Sequence, residues 1–286
     1  MYNIYTNNLG HGKINIRLKR KIGSEKQKGL VMFRFGNSGK WFICPKCKKR
    51  LFFKEKSLVC DNGHCYDIGK QGYVNLAPGL KPQKNYNKSS FENRRTILEH
   101  GFYDHILKEI LEILDDLPSF HTFLDVGCGE GFYAKQIARK LGREVLAFDI
   151  SKDSIRLAAK SDAEKKVKWF IADLTQLPIK DHSIDCILNL FTPANYKEFP
   201  RILTERGYLL KVIPGENHLI QLRELVKDQL IHKNYSNENT VTYFEKYFSP
   251  ILHKKVTATY QLRPEDRDAV IHMSPLLFHE IGRAHV

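Results

Sequence analysis

A strand, a glycine-rich turn and a helix follow one another in HTFLDVGCGEGFYAKQIARKLG (121–142), and this order constrains the fold more than any other feature. Residues 122–126 are apolar enough for a buried strand. Helical spacing begins at Phe132 and ends at Gly142, a predicted C-terminal cap. The turn allows a ligand to approach the backbone closely because it contains three glycines. These are Gly127, Gly129 and Gly131.

The residues that follow continue this alternation. The next strand, EVLAFDIS, ends in Asp149, which is placed to accept hydrogen bonds from ribose hydroxyls. Alternating strands and helices predict an α/β fold with a parallel sheet and a ligand site at the carboxyl ends of the strands. Three further strands are predicted in VKWFIADLTQLP, SIDCILNLF and GYLLKVIPG, and helical patterns cover 152–163, 196–205 and 218–231.

Four of the six cysteines lie in CPKCKKRLFFKEKSLVCDNGHCYD (44–67), before the α/β region. Zinc requires four nitrogen or sulfur ligands, commonly from two short turns. Cys44 and Cys47 supply one turn, and Cys60 and His64 the other. Cys65 is the alternative fourth ligand, and reduced cysteines without a metal are a further alternative. The expected zinc is structural, because no open coordination position is evident.

The formal net charge is +14, and it is concentrated near the amino terminus. Residues 1–50 contain 13 Lys or Arg and one acid, Glu25. Such asymmetry predicts attraction to a polyanion, although lysines that are merely solvated are the alternative. The chain shows neither a long apolar run nor a signal peptide, so we expect a cytoplasmic protein without membrane contacts. The predicted zinc module carries Lys46, Lys48, Lys49, Arg50, Lys54 and Lys56.

The combination of cysteine turns and glycine turn resembles a known family. Its signature here is CPKC, Cys60, His64, Asp67, KQGYVNLAP and RRTILEHGFYDHI, followed by LDVGCGEGFY, FDISKDSIRLAAK, NLFTPANYKEF and PGENHLIQLRE. These motifs span 33–279 and resemble those of bacterial 23S rRNA guanine-N1 methyltransferases (the RlmA/TlrB family). The segment NLFTPANYKEF resembles the Gram-positive branch of that family more closely than the enterobacterial branch. A dinucleotide-binding fold is a weaker alternative because the glycine spacing differs.

The resemblance implies a class I methyltransferase core (119–279) that follows a zinc-binding module (32–80) and a helical linker (81–118). Residues 1–31 form a basic extension whose native status stays open. The last seven residues, EIGRAHV (280–286), back-translate to a sequence like a sequencing adapter, and we expect that they are not native. The expected strand six lies within 251–262. The strand that normally inserts beside strand five is expected to be missing, which predicts an open sheet edge.

The resemblance also implies S-adenosylmethionine as cofactor and structural zinc in the module. Each of three implied contacts has a structural alternative. Tyr103 could be a packing residue, Glu130 a solvated acid in the turn, and His218 a surface residue at the start of a helix. Arg94 and Arg95 would contact RNA or cap the cofactor pocket. The implied cofactor contacts are Tyr103, Asp125, Gly127, Gly129, Glu130, Gly131, Asp149, Asp173 and His218.

The implied reaction is methylation of N1 of one guanine, of the 745 or 748 type, in a domain II hairpin of 23S rRNA. That guanine must leave its base pair to expose N1. Phe191 and Tyr196 are candidates for stacking on it, and Asn189 for bonding its edge, with core packing as the alternative. No catalytic base is assigned, because Asp185 is expected at the wrong end of its strand. A small-molecule methyltransferase, a non-catalytic RNA-binding protein and a possible homodimer remain open.

Overall fold

The computed structural model describes residues 1–8, 34–80, 88–117, 120–225 and 236–273. The strands are β1 (Tyr2–Asn8), β2 (Phe52–Lys54), β3 (Ser57–Val59), β4 (Cys65–Asp67), β5 (Tyr73–Asn75), β6 (Thr122–Val126), β7 (Glu144–Asp149), β8 (Val167–Ile171), β9 (Ile184–Leu190), β10 (Leu203–Pro214) and β11 (Leu252–Val256). The helices are α1 (Lys88–Glu99), α2 (Asp104–Asp116), α3 (Phe132–Leu141), α4 (Lys152–Ser161), α5 (Glu198–Ile202), α6 (Ile220–Leu225), α7 (Glu238–Glu245) and α8 (Arg267–Met273).

The large sheet has eight strands in the order β11-β1-β10-β9-β6-β7-β8-β5. The strands from β10 to β5 are parallel to their neighbours, because helices connect them along the chain. The predicted α/β fold with a mostly parallel sheet is therefore confirmed. Strand β5 belongs to this sheet although KQGYVNLAP was assigned to the zinc module.

Strand β1 fills the position that the sequence predicted to be empty. It pairs antiparallel with β10, with Tyr2 opposite Pro214 and Asn8 opposite Tyr208. On its other side it pairs antiparallel with β11, with Tyr2 opposite Val256 and Thr6 opposite Leu252. Ile4 is 0% exposed. The expectation of an open edge beside strand five was wrong, because a segment distant in sequence supplies the partner. The segment 280–286 and most of the basic extension 1–31 lie outside the described residues.

Both faces of the large sheet are covered. One apolar cluster joins it to α1, α2, α3, α4 and α8, and the other joins it to α5, α7 and the cysteine-rich module. The helix α3 begins after Gly131 and ends at Gly142, as the spacing predicted. In the described part of the chain, the structure contains no helix with the length and apolar character to cross a membrane.

The cysteine-rich module is a three-stranded antiparallel sheet of order β2-β3-β4 that packs directly on the core. Its Phe42 pairs with Ile179 in an isolated bridge, and the Trp41 carbonyl accepts from the Lys180 amide at 2.7 Å. A buried ion pair adds a second connection, because Arg34 Nη2 lies 2.8 Å from the Asp162 carboxylate. The module is therefore held in one orientation relative to the large sheet.

Candidate functional site

The four predicted metal ligands converge on one point. The ligand atoms of Cys44, Cys47, Cys60 and His64 all lie within 4.8 Å of one another. The Cys44 Sγ–His64 Nδ1 distance is 3.4 Å, and the Cys47 Sγ–Cys60 Sγ distance is 3.6 Å. Tetrahedral zinc with ordinary bond lengths separates its ligands by about 3.5–3.8 Å. The donor set therefore fits a closed, structural zinc centre.

The local chemistry of this cluster favours a thiolate at Cys44. Burial opposes ionisation, but the Tyr66 hydroxyl and the amides of Cys47 and Lys46 stabilise the anion and lower the pKa of Cys44 to about 6. The Tyr66 hydroxyl lies 3.3 Å from Cys44 Sγ. Cys65, the alternative ligand, is exposed and is not part of the cluster.

The glycine turn has the backbone conformation that the sequence predicted. Gly127, Gly129 and Gly131 have φ values of 64°, 54° and 77°, which only glycine adopts without strain. A Cβ at Gly129 would meet only the Phe91 ring, at 4.0 Å, so space remains above the turn. Asp149 fixes the turn, because its Oδ2 accepts from the Gly129 amide at 3.0 Å. The turn is thus a preformed cradle at the carboxyl ends of β6 and β7.

Buried carboxylates surround this cradle. Asp125 and Glu130 are each 2% exposed. Burial raises the pKa of Asp125 to about 7, the charge of Glu130 adds to this, and Arg94 opposes it. Arg94 Nε lies 3.6 Å from Glu130 Oε2. Arg94 therefore lies beside the cradle, and the acidic surroundings can complement a cationic ligand.

Tyr103 and His218 line a neighbouring cavity of about 320 Å³, together with Tyr2. The Tyr2 hydroxyl lies 2.8 Å from His218 Nδ1. Burial lowers the pKa of His218 to about 4, helped by the positive charges of the amino terminus and Arg223. Tyr103 stacks on Phe191, with ring centroids 5.9 Å apart. The structure therefore places these aromatic groups at the carboxyl ends of β9 and β10.

Asp173 and Asp185 have local structural partners. Asp173 Oδ1 accepts from the amide and hydroxyl of Thr175, at 2.8 and 2.7 Å, which caps the turn after β8. Asp185 Oδ2 accepts from the amides of His121 and Thr122, each at 3.0 Å. Asp185 therefore lies at the amino-terminal end of β9, away from the cradle, as predicted.

The candidate base-binding residues lie on different faces of the sheet. Phe191 is half-buried in the cluster with Tyr103 and has φ 60°, a strained backbone at the exit of β9. Tyr196 packs in the opposite cluster, 3% exposed. Asn189 is 0% exposed and donates to Thr192 Oγ1 at 2.7 Å. The alternative of core packing thus describes Tyr196 better than Phe191.

Two residues near the site had not been predicted. Tyr2 contacts His218, but nothing local in the sequence connects residues so far apart. Lys211 is 3% exposed on β10 and donates to Asn189. Burial lowers the pKa of Lys211 to about 8. The sequence signal that could have identified Lys211 is a single lysine inside the apolar run GYLLKVIPG.

Comparison with known proteins agrees with this architecture. A family described as "RlmA, N-terminal" matches 42–83, and a methyltransferase domain family matches 123–211. The protein YxjB of Bacillus subtilis (strain 168), whose name places it among 23S rRNA (guanine-N1)-methyltransferases, is 34% identical over 82% of this chain and 86% of its own. The 23S rRNA (guanine(748)-N(1))-methyltransferase of Streptomyces fradiae is 26% identical over 85% of this chain and 88% of its own.

The fold, the cysteine–histidine cluster and the glycine turn define a class I methyltransferase with an amino-terminal zinc ribbon, S-adenosylmethionine as cofactor and structural zinc. The similarity to YxjB extends over most of both chains. The chain therefore belongs to the family of 23S rRNA (guanine-N1)-methyltransferases.

Replacing Gly131 by alanine is expected to destabilise the protein more than the same change at Gly142. Both glycines have positive φ, 77° and 61°. A Cβ at Gly131 would lie 2.4 Å from the buried Trp169 ring, whereas one at Gly142 meets nothing within 4 Å. We expect Gly142→Ala to lower the free energy of unfolding by about 1 kcal/mol and Gly131→Ala by about 2–5 kcal/mol. Urea denaturation measures both, and equal losses would contradict the steric argument.

Proposed function

We propose that this protein transfers the methyl group of S-adenosylmethionine to N1 of a guanine of the 745 or 748 type in a domain II hairpin of 23S rRNA. One observation carries the proposal: this chain joins a zinc ribbon to a methyltransferase core, and it is similar over most of its length to relatives named for this reaction. We further propose that it acts in the cytoplasm on 23S rRNA. A homodimer is compatible with this function.

The proposed cofactor contacts divide into two groups. The first group forms the cradle or lies beside it, and contains Asp125, Gly127, Gly129, Glu130, Gly131 and Asp149. S-adenosylmethionine supplies an electrophilic methyl group on a cationic sulfur. Buried carboxylates favour such a cation, and the Asp149 carboxylate suits ribose hydroxyls. The second group, Tyr103 and His218, lines the adjacent cavity. Asp173, which follows β8, is proposed to lie near the adenine of the cofactor.

The chain's contribution to methyl transfer is mainly alignment. Guanine N1 would lose its proton to solvent as N1 attacks the methyl carbon, while the bond from that carbon to the sulfonium sulfur breaks and S-adenosylhomocysteine leaves. Holding N1 in line with that carbon accounts for much of the rate. Phe191 is the favoured stacking residue, because its half-buried ring lies at the strand exit beside Tyr103. Asn189 is fixed there by Lys211 and Thr192, so it positions the loop that follows β9.

The test is methylation of an unmodified 23S rRNA transcript by the purified protein, followed by primer extension. N1-methylguanine cannot form a Watson–Crick pair, so reverse transcriptase should stop beside the modified guanine. We expect a cofactor-dependent stop in the domain II hairpin, and none with Asp149→Asn, which keeps the side-chain shape but loses its charge. Cofactor binding without any stop would favour a small-molecule methyltransferase. Absent cofactor binding would favour a non-catalytic RNA-binding protein.

A further inference from the structure

An open cavity of about 480 Å³ lies where the zinc ribbon meets the core. Its walls come from the turn 36–40, from β2 and from Lys180, which belongs to the core. The Lys180 amide donates to the Trp41 carbonyl at 2.7 Å, so both walls are held together. The volume lies in the range of ordinary small-ligand sites.

The cavity presents an exposed aromatic ring. Phe52 is 46% exposed on β2, and its neighbour Phe53 packs inward. A Cβ at Gly39 would lie 2.8 Å from the Phe52 ring, so the turn rests against this ring because residue 39 is glycine. Phe52 is therefore held from one side while much of its surface faces solvent. Such a ring is a platform on which a planar group can stack.

The same cavity is positively charged. Lys40, Arg50 and Lys180 line it, and no acidic residue does so among the described residues. Lys40 and Arg50 are exposed, and Lys180 is half-buried. Three cations around an aromatic ring complement a group that combines a flat base with phosphates. Stacking on aromatic side chains and cationic contacts to the backbone are the two means by which proteins bind single-stranded nucleic acid.

We propose that this cavity binds one unpaired nucleotide of the RNA substrate, with the base stacked on Phe52 and the flanking phosphates beside Lys40, Arg50 and Lys180. The proposal rests on the proposed function and adds a second point of attachment to it. Because the ribbon is fixed to the core, a nucleotide held here fixes the position of the RNA relative to the glycine turn.

The test measures the affinity of the full-length zinc-loaded protein for a fluorescently labelled transcript of 23S rRNA domain II. We expect Phe52→Ala to weaken binding about tenfold, with an unchanged salt dependence, because a stacking contact releases no counterions. Phe52→Tyr keeps the ring and should bind like the original protein. The triple variant Lys40→Ala, Arg50→Ala, Lys180→Ala should lower the salt slope by about 2. The charge-matched control is a second triple variant, which removes three exposed lysines on other helices: Lys108→Ala, Lys140→Ala, Lys160→Ala.

Zinc content and S-adenosylmethionine affinity, measured on every variant, show that the fold is intact. Phe52→Ala binding within twofold of the original protein, which itself binds and methylates the transcript, overturns the cavity proposal and leaves the proposed function standing. If the triple variant lowers the salt slope but Phe52→Ala has no effect on affinity, the cavity contacts only phosphates and does not stack a base. That result also overturns the cavity proposal. If the original protein neither binds nor methylates the transcript, the proposed function fails and the RNA occupant fails with it.

Discussion

Cys60→Ser should abolish zinc binding and unfold the ribbon, whereas Cys65→Ser should change neither. Cys60 Sγ lies 3.6 Å from Cys47 Sγ and 3.5 Å from His64 Nδ1, so its loss leaves three ligands. Zinc binding in small modules contributes about 10–16 kcal/mol, and this energy is largely folding energy. The short strands β2, β3 and β4 cannot replace that contribution, because few of their residues are buried.

Zinc per chain after gel filtration, and hydrogen exchange within 42–68, measure this prediction. We expect about one zinc in the original protein and in Cys65→Ser, and none in Cys60→Ser. Cys65 is the matched control because it directly follows His64, at the start of β4, but is exposed and outside the cluster. Loss of zinc in Cys65→Ser, with retention in Cys60→Ser, would make Cys65 the ligand and contradict the geometry.

A chain that begins at Met32 should lose most of its stability, because it lacks β1. This strand separates β10 from β11 and buries Tyr2, Ile4 and Tyr5. Burying each such side chain contributes about 1.5–3 kcal/mol, so the loss is roughly 5 kcal/mol or more, comparable to the total stability of many domains. The exposed β10 edge also promotes aggregation. Thermal unfolding of the two chains measures the difference.

Single substitutions separate the role of β1 from chain length. Ile4 is 0% exposed, and we expect Ile4→Ala to cost about 2–5 kcal/mol. Leu252 on the adjacent β11 is 39% exposed, and Leu252→Ala should cost less than about 1 kcal/mol. If the chain from Met32 melts at the same temperature as the full chain, β1 does not stabilise the sheet.

The convergence of the four cysteine and histidine side chains and the conformation of the glycine turn could be predicted because each depends on short-range patterns. Cys44 and Cys47 share one turn, and Cys60 and His64 share another, so only the pairing of two turns depended on the fold. The same holds for α3, whose limits at Gly131 and Gly142 follow from local backbone conformation. A helix predicted over 196–205 was too long, since β10 begins at Leu203. The apolar periodicity there did not separate the end of a helix from the start of a strand.

The sequence by itself determined the class of fold, the zinc cluster, the cradle and the acid at Asp149, because neighbouring residues fix each of these. The tertiary structure alone decided that β1 completes the sheet and brings Tyr2 to His218, across 216 positions. It also decided that Phe52 faces a basic cavity shared with Lys180. Pairings of this kind depend on which distant surfaces bury one another, and hydrophobic burial has no direction along the chain that a local pattern could record.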